Sequence, residues 1–165
     1  MSEPTAPQPI ESLSARALAA WETIAPDWDA AITADGNKYW RRLQEPSLTR
    51  LLSPTFSSNA NCRALDLATG NGLCARWLLA RGAGSVLATD GSEGMLDLAR
   101  VHGHGYEGMR FRKVDVTSEK DLGGLVEEAR GGFDVVLMNM AIMDVGDLEP
   151  LAKALKGGLL AHNGV

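Results

Sequence analysis

The run Asp66-Leu67-Ala68-Thr69-Gly70-Asn71-Gly72 leads into a helical pattern that opens at Leu73. Glycines at a strand-to-helix turn let backbone pass close to a ligand. They also leave the free amides of the helix start facing it, as phosphate- and nucleoside-binding sites require. Asp90 follows roughly 20 residues after the glycines, at the end of the next strand pattern, where a carboxylate can accept hydrogen bonds from both hydroxyls of a ribose. Gly70 and Gly72 would also suit a plain tight turn. The ordered series of strand, glycine turn, helix, strand and terminal acid favours a ligand site. Asp115 closes the third strand pattern and fits a turn or helix cap as well as a ligand contact.

These residues need a scaffold, and the pattern around them supplies one. Short apolar runs at 63–68, 85–89, 109–114 and 133–138 read as strands. Helical patterns follow at 73–81, 94–101, 119–130 and 148–156, with Ser92 and Ser118 placed as N-caps of the middle two. Such alternation with short connections specifies an α/β fold, a doubly wound, Rossmann-like parallel sheet. Ahead of it, Ile10, Leu13, Ala17, Ala20, Trp21 and Ile24 form a helical stripe that Pro26 is expected to stop. A second helical stretch, with Tyr39, Trp40, Leu43, Leu48, Leu51 and Leu52, is expected to break near Pro46, and 53–61 reads as a loop. The organisation predicted is a disordered lead-in over 1–9, an N-terminal helical lid or cap over 10–60, and a ligand-binding sheet domain over 61–165.

DLATGNG resembles the first motif of the class I S-adenosylmethionine-dependent methyltransferases, written D/E-x-G-x-G-x-G, and TDGSEGMLDLAR resembles the stretch holding that family's ribose-binding acid. VDVT and FDVVLMNMAIMD resemble the ends of its third and fourth strands. The resemblance runs from about Trp21 to the end and implies S-adenosylmethionine as cofactor with a small-molecule acceptor. It places Asp66 and the turn Ala68, Thr69, Gly70, Asn71 and Gly72 at the methionine portion, and Asp90, with Gly91 and Ser92 beside it, at the ribose. Met95 would lie on the adenine face, Asp115 at the adenine amine with the Val116 amide nearby, and Asn139 and Met140 near the reacting methyl. Tyr39, with Trp28, Gly36 and Asn37, resembles the lid of small-molecule members. Ala68 departs from the motif's first glycine. The family's sheet has seven strands, so the sequence reads as a partial methyltransferase fold cut after the fourth.

Composition narrows the rest. The chain has 165 residues, 45% of them apolar, and a net charge of −5. An acidic chain of this kind lacks the clustered cations of a nucleic-acid binder, and no apolar run reaches the ~18 residues of a membrane span. Cys62 and Cys74 read as free thiols, which with the polar N-terminus suggests a cytoplasmic protein. His102 and His104 lack a third ligand, so no metal is expected and both read as solvated loop residues. No catalytic base is identifiable. Two other functions fit: an NAD-dependent oxidoreductase, because Gly70 to Ala75 also satisfies GxGxxA, and a non-catalytic truncated binding or partner protein. With no fifth strand, the strand from Phe133 to Met138 would be an open edge, which predicts a homo-oligomer or a partner chain covering it.

Overall fold

Buried runs of Leu, Val and Ala alternating with amphipathic helices are satisfied by a parallel sheet covered on both faces. The computed structural model describes residues 10–165 and has this architecture. The lead-in predicted over 1–9 lies outside the described residues. Strands β1 (Arg63–Leu67), β2 (Ser85–Asp90), β3 (Met109–Lys113) and β4 (Val135–Leu137) are all parallel, in the order β3-β2-β1-β4. Leu67 pairs with Thr89, so the ends of β1 and β2 lie side by side and carry Asp66 and Asp90 to one edge of the sheet. The crossovers contain α3 (Leu73–Ala80), α4 (Glu93–His102) and α5 (Glu119–Ala129), and α6 (Glu149–Ala154) follows β4. The two predicted caps form: Ser92 Oγ accepts from the Met95 amide at 3.1 Å and Ser118 Oγ from the Asp121 amide at 3.2 Å.

The N-terminal helices differ from expectation in three respects. First, α1 (Ile10–Ile32) runs through Pro26 instead of ending there. Proline forfeits only the bond to the carbonyl four residues earlier, that of Glu22, and packing of α1 along α4 carries the helix on. Second, the covered face is rotated from the predicted stripe: Ser14 and Ala25 are buried, whereas Leu13, Ala20 and Ile24 are exposed. Third, Pro46 falls in the first turn of α2 (Glu45–Ser58), where its missing N–H costs nothing, after a π-helical turn over Trp40–Gln44. The helix then continues past Pro54, so most of the loop expected over 53–61 is helical.

Trp40 and Leu52 join one core with Ala64, Val86 and Leu78, and the Trp40 and Trp77 rings meet edge to face at 5.9 Å. Part of the preamble, read as a lid or cap, therefore also belongs to the core of the sheet. On the other face Leu65, Leu87, Leu125 and Phe133 form a second cluster with α5 and α6.

The outer side of β4 is not bare. Phe133 donates its N–H to Leu159 O at 2.8 Å, and Ala161 donates to Phe133 O at 3.0 Å. Beyond these, Val165 donates to Asp134 O at 2.9 Å and Val136 to Val165 O at 2.8 Å. The open edge from Phe133 to Met138 is thus covered over 133–136 by the chain's own final residues, and the requirement for a second copy loses its premise there. Among the described residues no helix is long and apolar enough to cross a membrane.

Candidate functional site

The turn after β1 is shaped by left-handed backbone and two buried carboxylates. Thr69 donates its N–H to Thr89 O at 2.8 Å, and Gly72 closes the turn onto Thr69 O at 3.0 Å. Ala68, Gly70 and Gly72 take φ values of +53°, +56° and +77°. At Gly70 and Gly72 this is the reason for glycine; Ala68 adopts the same region at a cost in backbone strain. Asp90 ties the turn to the next helix, its Oδ2 accepting from the Gly70 amide and its Oδ1 from the Ser92 amide, both at 2.9 Å. Asp66 Oδ2 accepts from Thr69 Oγ1 at 2.5 Å.

Burial dominates the electrostatics of both acids. Desolvation pushes the Asp66 carboxyl up to about 7, with the neighbouring Asp90 adding to the rise and the Thr69 hydroxyl opposing it. Desolvation also raises Asp90, against the amides of Ser92 and Gly70, which stabilise its charge. The Cys74 thiol, buried beside Asp66, is held well above its ordinary range and is a packing group instead of a nucleophile.

These groups open onto a cavity of about 580 Å³ at the carboxyl ends of the strands. It is lined by Asp66, Ala68, Thr69, Gly70, Asn71, Asp90, Gly91, Met95, Asp115, Val116, Asn139, Met140 and Tyr39, which is every predicted site residue except Gly72 and Ser92. Those two lie behind the wall. A Cβ at Gly72 would lie 3.2 Å from Ala99 Cβ, so that glycine admits the close approach of α4, and Ser92 caps α4. Gly70 is the open position: a Cβ there would meet nothing nearer than Trp28 Nε1 at 4.0 Å. Asp115 also holds its own turn, accepting from the Thr117 amide at 2.8 Å and the Thr117 hydroxyl at 2.7 Å.

The opposite wall comes from α1 and the segment after it. Trp21 and Trp28 meet edge to face at 5.2 Å and both line the cavity, as do Ser14 and Leu18. Side-chain bonds hold this wall down. Asp29 Oδ1 accepts from Asn71 Nδ2 at 2.8 Å and lies 2.8 Å from His102 Nε2. Glu22 accepts from Ser92 Oγ at 2.6 Å and from the Gly94 amide at 3.0 Å, and Arg76 donates to Ala34 O at 2.7 Å. His102 therefore ends α4 and anchors α1, contrary to its reading as a solvated loop residue. Asp29, Glu22 and Arg76 gave no signal in the sequence, because nothing local distinguishes a clasp from a solvated charge. Asn139 Nδ2 donates to Gln44 Oε1 at 2.9 Å, joining the end of β4 to the π-helical turn.

A family model described as a methyltransferase domain matches residues 64–159, more than half of the chain. The chain belongs to the methyltransferase-domain family. This methyltransferase-domain protein matches no curated protein. Among solved structures it resembles a DhpI–SAM–HEP complex at 23% identity and a TM-score of 0.63, covering 92% of this chain and 63% of that one. It also resembles an S-adenosylmethionine-dependent methyltransferase from Mesorhizobium loti at 26% identity and a TM-score of 0.54, covering 78% and 51%. A third likeness is to phosphoethanolamine N-methyltransferase 1 of Haemonchus contortus in complex with phosphoethanolamine and S-adenosylhomocysteine, at 17% identity and a TM-score of 0.60, covering 95% and 32%. This methyltransferase-domain chain spans between about a third and two thirds of the length of these structures.

Proposed function

We propose that the chain binds S-adenosylmethionine and transfers its methyl group to a small-molecule acceptor. The observation that carries this reading is the pairing of Asp90 with the left-handed Gly70 turn, both facing one cavity. The residues present suit the cofactor. Gly70 leaves room for close approach, and the Asp90 carboxylate, with two lone-pair sites already used by amides, keeps about two more for the ribose hydroxyls. Ser14 Oγ is buried in the cavity wall and has no hydrogen-bond partner among the described residues, a cost that a polar ligand atom would relieve.

In this reading Asp66 and residues 68–71 hold the methionine portion, Asp90 and Gly91 the ribose, and Met95, Asp115 and Val116 the adenine. Gly72 and Ser92 shape the turn and cap the helix behind them. When bound, the cofactor supplies a methyl group on a sulfonium, displaced in line by the acceptor. The leaving thioether needs no proton, so the protein's part is to position the partners and exclude water, with Asn139, Met140 and Tyr39 at the reacting end. The two buried free thiols suit a cytosolic setting. Membership of the methyltransferase-domain family weighs against the NAD reading.

S-adenosylhomocysteine should raise the melting temperature, because a ligand that prefers the native state stabilises it by mass action. Asp90→Ala should weaken its binding about 10- to 100-fold through loss of a charged acceptor. No shift at saturating ligand would overturn the cofactor assignment. Binding without transfer of a labelled methyl group to any low-mass compound would leave the non-catalytic reading.

A further inference from the structure

The solvent-facing rim of the cavity has a composition of its own. Trp28, Tyr39, Leu43, Met140 and Met143 line it, and all five are exposed, so their apolar surfaces form the rim that an incoming molecule meets. The polar side chains beside them are the neutral amides of Gln44 and Asn139, already bonded to each other, with Asn37 and Asp144. Among the described residues, every ionisable group of the wall apart from the Cys74 thiol and the Tyr39 phenol is a carboxyl group: Asp66, Asp90, Asp115 and Asp144. No Lys, Arg or His lines the cavity among the described residues, and residues 1–12 contain none in their sequence. Lys38 stands outside the wall, its Nζ 5.0 Å from the centroid of the Tyr39 ring.

A phosphate or carboxylate entering here would surrender its hydration to aromatic and thioether surface and meet the Asp144 carboxyl group without a compensating Lys, Arg or His among the described residues. Sites that select anions supply the opposite, an Arg fork or a Lys at the point of binding. A flat apolar molecule instead gains burial against Trp and Tyr faces and Met side chains, which adapt to its outline.

We propose that this rim of the cavity takes a ring-bearing, apolar small molecule with no anionic group, its one polar substituent held at the Asn139 and Gln44 amides. That this molecule is the methyl acceptor rests on the methyl-transfer reading above; the ligand class rests on the wall alone. The discriminating probes are 2-naphthol and 2-naphthoate, which share a ring system and differ in charge, titrated calorimetrically into the full chain with and without saturating S-adenosylhomocysteine at neutral pH. The expected result is at least about ten-fold tighter binding of the naphthol, with Met143→Arg or Leu43→Arg, both at exposed positions, moving the preference toward the naphthoate. Equal or tighter binding of the naphthoate by the parent chain, or binding of neither probe, overturns the inference. Failure of S-adenosylhomocysteine to bind while naphthol selectivity persists removes the methyl-transfer reading and leaves the ligand class standing.

Discussion

The two walls of the cavity are held by different kinds of bond. On the sheet side, backbone pairing of β1 with β2 and the Gly70 and Ser92 amides on Asp90 fix the turn that lines the cavity. On the helix side, α1 rests on side-chain contacts: Asp29 to Asn71 and His102, and Glu22 to Ser92 and Gly94. A backbone ladder fails only when the fold fails, whereas a side-chain clasp can be removed one group at a time. The sheet wall is the fixed half of the site, and the helix wall is the half that can be detached.

The largest expected effect lies on the sheet side. Asp66 is ionised only at a cost in the folded protein, since burial has raised its carboxyl to about 7 from an ordinary 3.8. Between those values the folded state holds a proton that the unfolded state has released. The stability contributed is therefore present below pH 4 and is lost as pH rises through about 7. The melting temperature of the ligand-free chain should fall over that interval, and Asp66→Asn should flatten the fall, leaving the smaller slope due to Asp90. An identical pH slope in the variant would show that the wall is not shaped by that buried acid.

An intermediate effect separates the walls directly. Asp29→Ala should lower stability by about 1–3 kcal/mol, read as a urea midpoint, by leaving Asn71 and His102 without their shared acceptor. Trypsin should then cut sooner at Arg16, which α1 exposes, while the sheet core stays protected. His102→Ala made in the Asp29→Ala background should add little, because the two residues share one bond. Fully additive losses would mean that α1 is held by something other than this clasp.

The smallest effect concerns Ala68. At φ +53° its Cβ is strained, so Ala68→Gly should stabilise the chain by up to about 1 kcal/mol. A loss of stability would show that the Ala68 methyl contributes packing greater than the strain it costs.

What could be read directly from the residues was whatever depends on local order along the chain. Strand–helix alternation implied the parallel sheet, and Ser92 and Ser118 were legible as caps because a cap acts on amides three residues away. The glycine turn and the place of Asp90 beside it were legible for the same reason: a strand end followed by glycines forms a tight turn next to the end of the neighbouring strand. Tertiary structure decided the rest, because the groups involved meet across about 40 to 70 residues and no periodicity records a partner that far off. It carried α1 through Pro26 and turned its buried face to Ser14 and Ala25. It set Gly72 against α4, and folded the final residues against β4 where an open edge was expected.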